Sequence, residues 1–308
     1  MIYTLTLNPA VDKTVIIPNF VPGTVNRIES VRTDIGGKGI NVSKCLHRMG
    51  CDSTAVAFFG GETGIRAAET LEQSGIRTVK ISVAGEMRTN LKIIDPVLGQ
   101  NTDINEPGPA ITRENMSRLA GKLDTLLTPG DILILSGSIP GGVESTVYRE
   151  LIFRYHSKKT AVFLDADGEP LRLALGAGPE LIKPNREELS RLTGAPLQTK
   201  TEILNAAQAL LQCGVGTVLV SLGADGALLV RGDGVFCARG LSVPVHSTVG
   251  AGDSMVAAMA YAAQNGLSAA DSLRLAVAIS AASVMQTGTQ PPEPNLIGEL
   301  YRKVQIES

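Results

Sequence analysis

The chain has no tryptophan, and its five tyrosines and six phenylalanines bring the aromatic content to only 4%. A surface that stacks bases needs aromatic rings, so binding to single-stranded nucleic acid has little to build on. Positive charge is not concentrated either: 28 Lys and Arg stand against 30 Asp and Glu, a net charge of −2 with no basic block. Without such a footprint the phosphate backbone of a nucleic acid finds no partner. The three histidines, His47, His156 and His246, lie far apart, and the four cysteines, Cys45, Cys51, Cys213 and Cys237, form no C-x-x-C. That spacing argues against a zinc site, and unpaired thiols suit a reducing compartment. No apolar run approaches the roughly 18 residues of a membrane-spanning helix. The opening MIYTLTLNPAVDKT lacks a basic segment followed by a long apolar one. A soluble cytoplasmic protein is the expectation. A G-x-x-x-x-G-K-[ST] phosphate loop is also missing from the whole chain.

What is present is ordinary globular composition, 44% hydrophobic and 19% charged over 308 residues. A chain of that length buries roughly three quarters of its unfolded surface, enough for one large core with a minor appendage. DILILS (131–136), AVFLDA (161–166), ELIKPN (180–185) and TVLVSLG (217–223) read as strands buried on both faces. Helical stretches near 145–157, 186–193 and 201–213 lie between them. That alternation predicts a mostly parallel sheet with helices on both sides, a three-layer αβα sandwich. YTLTLN (3–8) and STAVAFFG (53–60) add strands around a helix at 40–49, and 253–285 predicts two Ala-rich helices. Residues 12–34 and 88–105 are too polar for the buried sheet. They predict a small separate β-sheet, a lid, on a single domain spanning 1–308. An exposed sheet has to be covered or paired, which points to a homodimer through the lid.

The most informative element is Thr248-Val249-Gly250-Ala251-Gly252-Asp253-Ser254, directly ahead of an apolar helix. The amides of Gly250, Ala251 and Gly252 can converge there, and the positive helix end reinforces them as an anion cradle. An aspartate at such a mouth repels a merely bound phosphate. It makes sense if Asp253 takes a proton from a hydroxyl while the amides steady a phosphoryl group, the arrangement of a small-molecule kinase. The bland alternative is an ordinary helix start with Asp as a capping residue.

Other candidates surround it. Gly36-Gly37-Lys38-Gly39-Ile40-Asn41 lets the backbone approach a ligand, with Lys38 as a point charge and Asn41 as a bidentate amide. A plain turn with a solvated lysine is the competing account. Ser136-Gly137-Ser138 ends a strand at the carboxyl edge, where open α/β sheets bind ligands. Lys183-Pro184-Asn185-Arg186-Glu187-Glu188 ends another; Asn185 and Glu188 can both face one Mg²⁺-bound water cluster, or Asn185 alone caps a helix. Ser221-Leu222-Gly223-Ala224-Asp225-Gly226 offers loose backbone for a nucleotide and equally resembles a hairpin. Asp12 reads as a sugar ligand or a turn residue, and Arg88 as a phosphate ligand or a solvated arginine. His246 reads as structural.

Taken together and in this order, TLNPAVD (6–12), GGKGINV (36–42), SGSIP (136–140), KPNREEL (183–189), SLGADGA (221–227) and STVGAGDSMV (247–256) resemble the ribokinase-like sugar kinases. The branch is that of phosphofructokinase-B. The stretch TDINEPGP (102–109) is similar to the bacterial 1-phosphofructokinases within it. The resemblance implies a ribokinase-like fold, usually dimeric, and ATP-dependent phosphorylation of fructose 1-phosphate to fructose 1,6-bisphosphate. Tagatose 6-phosphate and fructose 6-phosphate are alternative acceptors. A nucleoside or free-sugar kinase, and a non-catalytic sensor, remain as other readings.

By resemblance Asp253 is the base and Gly250, Ala251 and Gly252 form the anion hole. Asp12, Gly37 and Asn41 hold sugar hydroxyls, and Lys38, Arg88 and Ser138 face the phosphate already on the substrate. Asn185 and Glu188 organise Mg²⁺ through water. Lys183, Asn185, Ser221, Gly223, Ala224, Gly226 and Thr248 line the nucleotide. Three positions depart from the pattern: Gly141-Gly142 after Pro140, Asp167 where Ser or Thr is common, and His246.

Overall fold

Four consecutive apolar residues, Ile132 to Leu135, are all buried, and they face alternately into two different cores. Ile132 and Ile134 join one, Leu133 and Leu135 the other. A strand with no polar face has to lie between two helical layers, and that rule organises the molecule. The structure, a computed structural model, describes residues 1–307. The chain runs β1 (Ile2–Thr6), β2 (Ala10–Ile16), β3 (Ser30–Gly36), α1 (Lys38–Arg48), β4 (Ser53–Gly60), α2 (Gly61–Gln73) and β5 (Arg77–Val83). It continues through β6 (Arg88–Asp95), β7 (Gln100–Asn105), α3 (Arg113–Leu126), β8 (Ile132–Ser136), α4 (Val147–His156), β9 (Ala161–Asp165) and α5 (Gly168–Ala174). Next come β10 (Leu181–Ile182), α6 (Arg186–Thr193), α7 (Lys200–Gln212), β11 (Thr217–Ser221), β12 (Ala227–Arg231) and β13 (Gly234–Ala238). α8 (Ala251–Gln264), α9 (Ala269–Val284), α10 (Pro294–Tyr301) and β14 (Ile306–Glu307) complete it.

Ten strands form the large sheet in the order β14-β13-β12-β11-β10-β9-β8-β1-β4-β5. From β11 to β5 all neighbours are parallel. α3, α4, α6 and α7 cover one face, where Leu119, Leu123, Tyr148, Ile152, Leu189 and Leu210 pack. α1, α8, α9 and α10 cover the other. There the alanines of α8 and α9 (Ala257, Ala258, Ala260, Ala276, Ala278, Ala282) are buried and let the helices approach closely. The expected αβα sandwich with a mostly parallel sheet is what forms.

β1 is the switch point. The chain adds β4 and β5 on one side of it and β8 to β11 on the other, which opens a crevice outside the carboxyl ends of β1 and β8. β2 and β3 are inserted between β1 and α1, and β6 and β7 between β5 and α3. These four make a separate sheet in the order β3-β2-β6-β7, hung from the crevice side. Of the segment 12–34, strand covers 10–16 and 30–36, with 17–29 between them; 88–105 divides into two strands at a turn over 96–99. Asp95 ties the tips of both arms together. Its carboxylate accepts backbone N–H groups from Asn19 and Phe20 on one arm and from Val97 and Leu98 on the other, at 2.7–3.1 Å.

Of the two readings of 221–226 the hairpin is what the backbone forms: β12 adds antiparallel to β11, β13 to β12 and β14 to β13. Ser221 to Ala227 is therefore a hairpin connection, Ser221 pairing with Ala227. No helix among the described residues is long and apolar enough to cross a membrane.

Candidate active site

Asp253 stands on the first turn of α8, 7% exposed, on a helix whose start is set by Gly250 at φ 83°. A left-handed residue before the helix lets the chain turn sharply into it, which glycine does without steric cost. The helix begins at Ala251 with Gly250 as its N-cap, so the amides with no intrahelical acceptor are those of Gly250, Ala251 and Gly252, the expected three, together with that of Asp253. No side chain caps them, and the Ala251 N–H has a carbonyl, that of the exposed Thr248, only at a long 3.4 Å. This is an anion-receptive helix end.

The Asn41 amide, on the first turn of α1, donates to Asp253 Oδ2 at 2.8 Å and fixes its direction. Burial pushes the Asp253 carboxyl up to about 6, and the nearby Asp165 charge adds to the rise, against the pull of Asn41, Lys38 and Lys183. Asp165 ends β9 and is 1% exposed. Its Oδ1 takes Lys38 Nζ at 3.2 Å and Lys183 Nζ at 3.5 Å. Burial works to raise the Asp165 carboxyl, but the two ammonium groups outweigh it and hold it below the ordinary carboxylate value. Lys183 Nζ also lies against the cradle: a β-carbon on Gly252 would come within 3.0 Å of it. One buried polar cluster thus links the ends of β9 and β10, the start of α1 and the start of α8.

Glycine makes the α1 start possible. Gly37 has φ 118°, and a β-carbon there would meet Thr6 and the Pro9 backbone; one on Gly39 would meet the Thr6 hydroxyl. Lys38, expected to face a phosphate already on the substrate, turns instead to Asp165 and shares its surroundings with Asp253 and Glu188. Burial opposes its charge, and the three carboxylates together raise its pKa in spite of that. Lys38 belongs with the Asp253 cluster because the buried Asp165 carboxylate draws it there.

Arg88 and Ser138 meet elsewhere, beside Asn8. Arg88 is half-buried, and its Nε and Nη2 donate to the Asn8 carbonyl at 3.2 and 2.9 Å. It is not a freely solvated arginine. Ser138 is exposed and follows Gly137, whose φ is 104° and whose carbonyl accepts the hydroxyl of the buried Tyr148 at 2.9 Å. Asp12 lies on the small sheet, where its Oδ1 accepts the Asn90 amide at 2.8 Å. Burial raises the Asp12 carboxyl despite that bond. A β-carbon on Gly36 would overlap the Asp12 carboxylate, so that glycine admits it.

Asn185 and Glu188 form a reciprocal capping box: Asn185 Oδ1 accepts the Glu188 N–H, and Glu188 Oε2 accepts the Asn185 N–H, each at 2.8 Å. The capping account thus holds locally. It leaves the Asn185 amide nitrogen and Glu188 Oε1 free. The hairpin holding Gly223, Ala224 and Gly226 is fixed next to them by an Asn185–Ser221 bridge and by Arg186, 2.7 Å from Asp225. Gly226 packs on the Ala238 carbonyl in a conformation closed to side chains. Asp167 caps α5 and pairs with Arg191 at 2.7 Å. His246 is exposed, tied through its backbone N–H to the Val284 carbonyl.

The profile of the pfkB family carbohydrate kinases matches residues 3–296. The chain belongs to that family. It is 39% identical to the 1-phosphofructokinase of Rhodobacter capsulatus over 308 residues, covering 100% of this chain and 98% of that one. The solved phosphofructokinase-2 of Escherichia coli in complex with potassium superposes with a TM-score of 0.93 at 32% identity, covering 98% of each chain. The ribokinase of Arabidopsis thaliana, solved with ribose and ATP, is 24% identical with a TM-score of 0.79 over 98% of each chain, a likeness of fold. As a pfkB-family chain it carries one feature that the motif reading passed over, Asp165. The signal was present: an acid closing the apolar strand AVFLD at the carboxyl edge of the sheet.

Proposed function

We propose that the chain is an ATP-dependent sugar-phosphate kinase that converts fructose 1-phosphate to fructose 1,6-bisphosphate with Asp253 as general base. The observation that carries the proposal is the Asp253 carboxyl itself. It is buried, aimed by Asn41, raised to about 6, and set at a helix end whose amides have no intrahelical acceptor and no side-chain cap. A base with a pKa near the working pH is ionised often enough to accept a proton and basic enough to take it.

In the reaction, the acceptor hydroxyl gives its proton to Asp253 while its oxygen bonds to the γ-phosphorus. The bond from that phosphorus to the β–γ bridging oxygen breaks, and ADP departs. The amides of Gly250, Ala251 and Gly252, with Lys183 and Lys38, hold the charge of the transferring group, where most phosphoryl-transfer catalysis lies. Asp12, Gly37 and Asn41 receive the sugar. Arg88 and Ser138 receive its phosphate. Ser221, Gly223, Ala224, Gly226 and Thr248 border the nucleotide.

Mg²⁺ fits this set through water. No group of three metal-ligating side chains occurs among the described residues, so a closed protein cage is absent. Mg²⁺ keeps several waters and takes one or two carboxylates together with phosphates. Glu188 Oε1 and the buried, unpartnered Asp165 Oδ2 offer that, with the Asn185 amide toward water or phosphate. Bound there, the ion neutralises charge on the nucleotide phosphates.

The 39% identity to a 1-phosphofructokinase supports fructose 1-phosphate as acceptor. A coupled ADP-release assay over fructose 1-phosphate, fructose 6-phosphate, tagatose 6-phosphate and free fructose tests it. The first should lead in kcat/KM by about tenfold or more. Equal or better turnover of free fructose would return the chain to the free-sugar kinases, and no ADP with any of the four would leave a sensor.

The small sheet acts in this proposal as a lid that pairs with a second copy. Val25 is 85% exposed, and Ile28, Val31, Val97, Leu98 and Ile104 are exposed on the same sheet and its arms. Light scattering should give twice the chain mass, and Val25→Asp with Ile104→Asp should give the single-chain mass. A monomeric parent protein would remove this part of the proposal.

A further inference from the structure

Asn8 follows β1 at the switch-point crevice and is 5% exposed. Three segments distant in sequence meet on it. Its carbonyl receives the Arg88 guanidinium through two N–H groups, at 3.2 and 2.9 Å. Its side-chain amide donates to the Pro107 carbonyl at 3.1 Å and to Ser138 Oγ at 3.4 Å. Its Oδ1 is buried without a hydrogen-bond partner, and Gly108, at φ 86°, packs directly against it. A β-carbon on Gly108 would clash with that oxygen.

We propose that Asn8 is the positioning residue of the substrate-phosphate clamp, setting Arg88 and Ser138 in register with the segment 107–108. The inference rests on the sugar-phosphate reading above. Arg88 offers a planar fork of donors and Ser138 a hydroxyl. Two such donors bind a phosphate well only when their relative orientation is fixed, because mobile side chains lose the gain to ordering. Arg88 sits at the start of β6 and Ser138 on the turn after β8, and no hydrogen bond joins the two directly among those of the described residues. Asn8 touches both. Its amide also consumes one lone pair of the Ser138 hydroxyl, which leaves the hydroxyl hydrogen to point outward toward an anion. Asn8 has no part in the Asp253 cluster, so its effect falls on binding at the phosphate end.

The test compares Asn8→Ala, the isosteric Asn8→Asp and Arg88→Met in steady-state kinetics with fructose 1-phosphate and ATP. Thermal unfolding of each variant is followed alongside. Asn8→Ala should raise KM for the sugar phosphate about 10- to 100-fold, while kcat and KM for ATP stay within about threefold. Asn8→Asp keeps the shape, loses the donor and adds charge beside the phosphate, so its KM should rise further. If Asn8→Ala does not fold, the isosteric variant carries the test. Combined with Arg88→Met, Asn8→Ala should add less than its single effect, since both act on one clamp. If Arg88→Met raises KM and the Asn8 variants do not, or if they lower kcat and both KM values move together, the positioning role is overturned. If Arg88→Met itself leaves KM unchanged, the sugar-phosphate reading is what fails.

Discussion

Asp253→Asn is expected to lower kcat by about 10²- to 10⁴-fold, the span of a positioned general base, and to leave KM for both substrates nearly unchanged. Asparagine keeps the shape and can still accept from Asn41, but it cannot take the hydroxyl proton. Retention of more than about a tenth of parent turnover would remove Asp253 from the role. The same substitution has a second signature, in stability. The folded Asp253 carboxyl sits near 6 against an ordinary 3.8. A raised acid holds its proton more tightly in the folded state, so its favourable contribution is full below about pH 4 and is lost as pH rises through about 6. The difference between the two limits is about 3 kcal/mol, with the ionised carboxylate the less favourable. The asparagine variant should therefore unfold at a higher temperature than the parent at pH 8 and at a similar temperature at pH 4. The parent kcat/KM should also fall as pH drops through about 6, a limb that the variant lacks.

The second large effect concerns Asp165. Removing one partner of a buried charge cluster leaves the others uncompensated, which costs about 3–5 kcal/mol. Asp165→Ala would strand Lys183, 5% exposed, together with the partly exposed Lys38, so chemical denaturation should show a loss of that size. A loss below about 1 kcal/mol would mean that water already screens the lysines. The milder Asp165→Asn separates stability from tuning. It removes the negative charge that helps hold Asp253 high and leaves two lysines to favour the ionised form. The acidic limb of kcat/KM should then move below 6, and a limb that moved upward or stayed fixed would contradict the electrostatic account.

The large sheet was legible because its central strands are apolar on both faces; runs such as DILILS and TVLVS have one structural solution at that length. The Ala-rich helices were legible for a related reason, since small side chains over two long periods imply close packing. The antiparallel edge was legible only as the hairpin alternative at 221–226. Gly232 and Asp233 link β12 to β13 in a tight turn, but the two strands are short, and β14 is only two residues long. Their place depends on pairing with β11 more than on local pattern. At the site, the glycine-rich turns could be read because backbone approach requires glycine there. What could not be read was which charges would find each other. Lys38 lies 127 residues from Asp165, and nothing in either local sequence says that the ammonium turns inward to the end of β9 instead of outward to a ligand. Asn185 and Glu188 show the opposite case, where one spacing serves a helix cap and leaves an oxygen spare.

The cluster around Asp165 has an arithmetic consequence. Two ammonium groups face three carboxylates, Asp165, Asp253 and Glu188, so the base of the resting crevice carries one net negative charge while Asp253 is ionised. If Asp253 takes the hydroxyl proton as proposed, that excess is cancelled at the place where the PO₃ unit joins the sugar oxygen, and a repulsion felt by the incoming group is lifted as the ester forms.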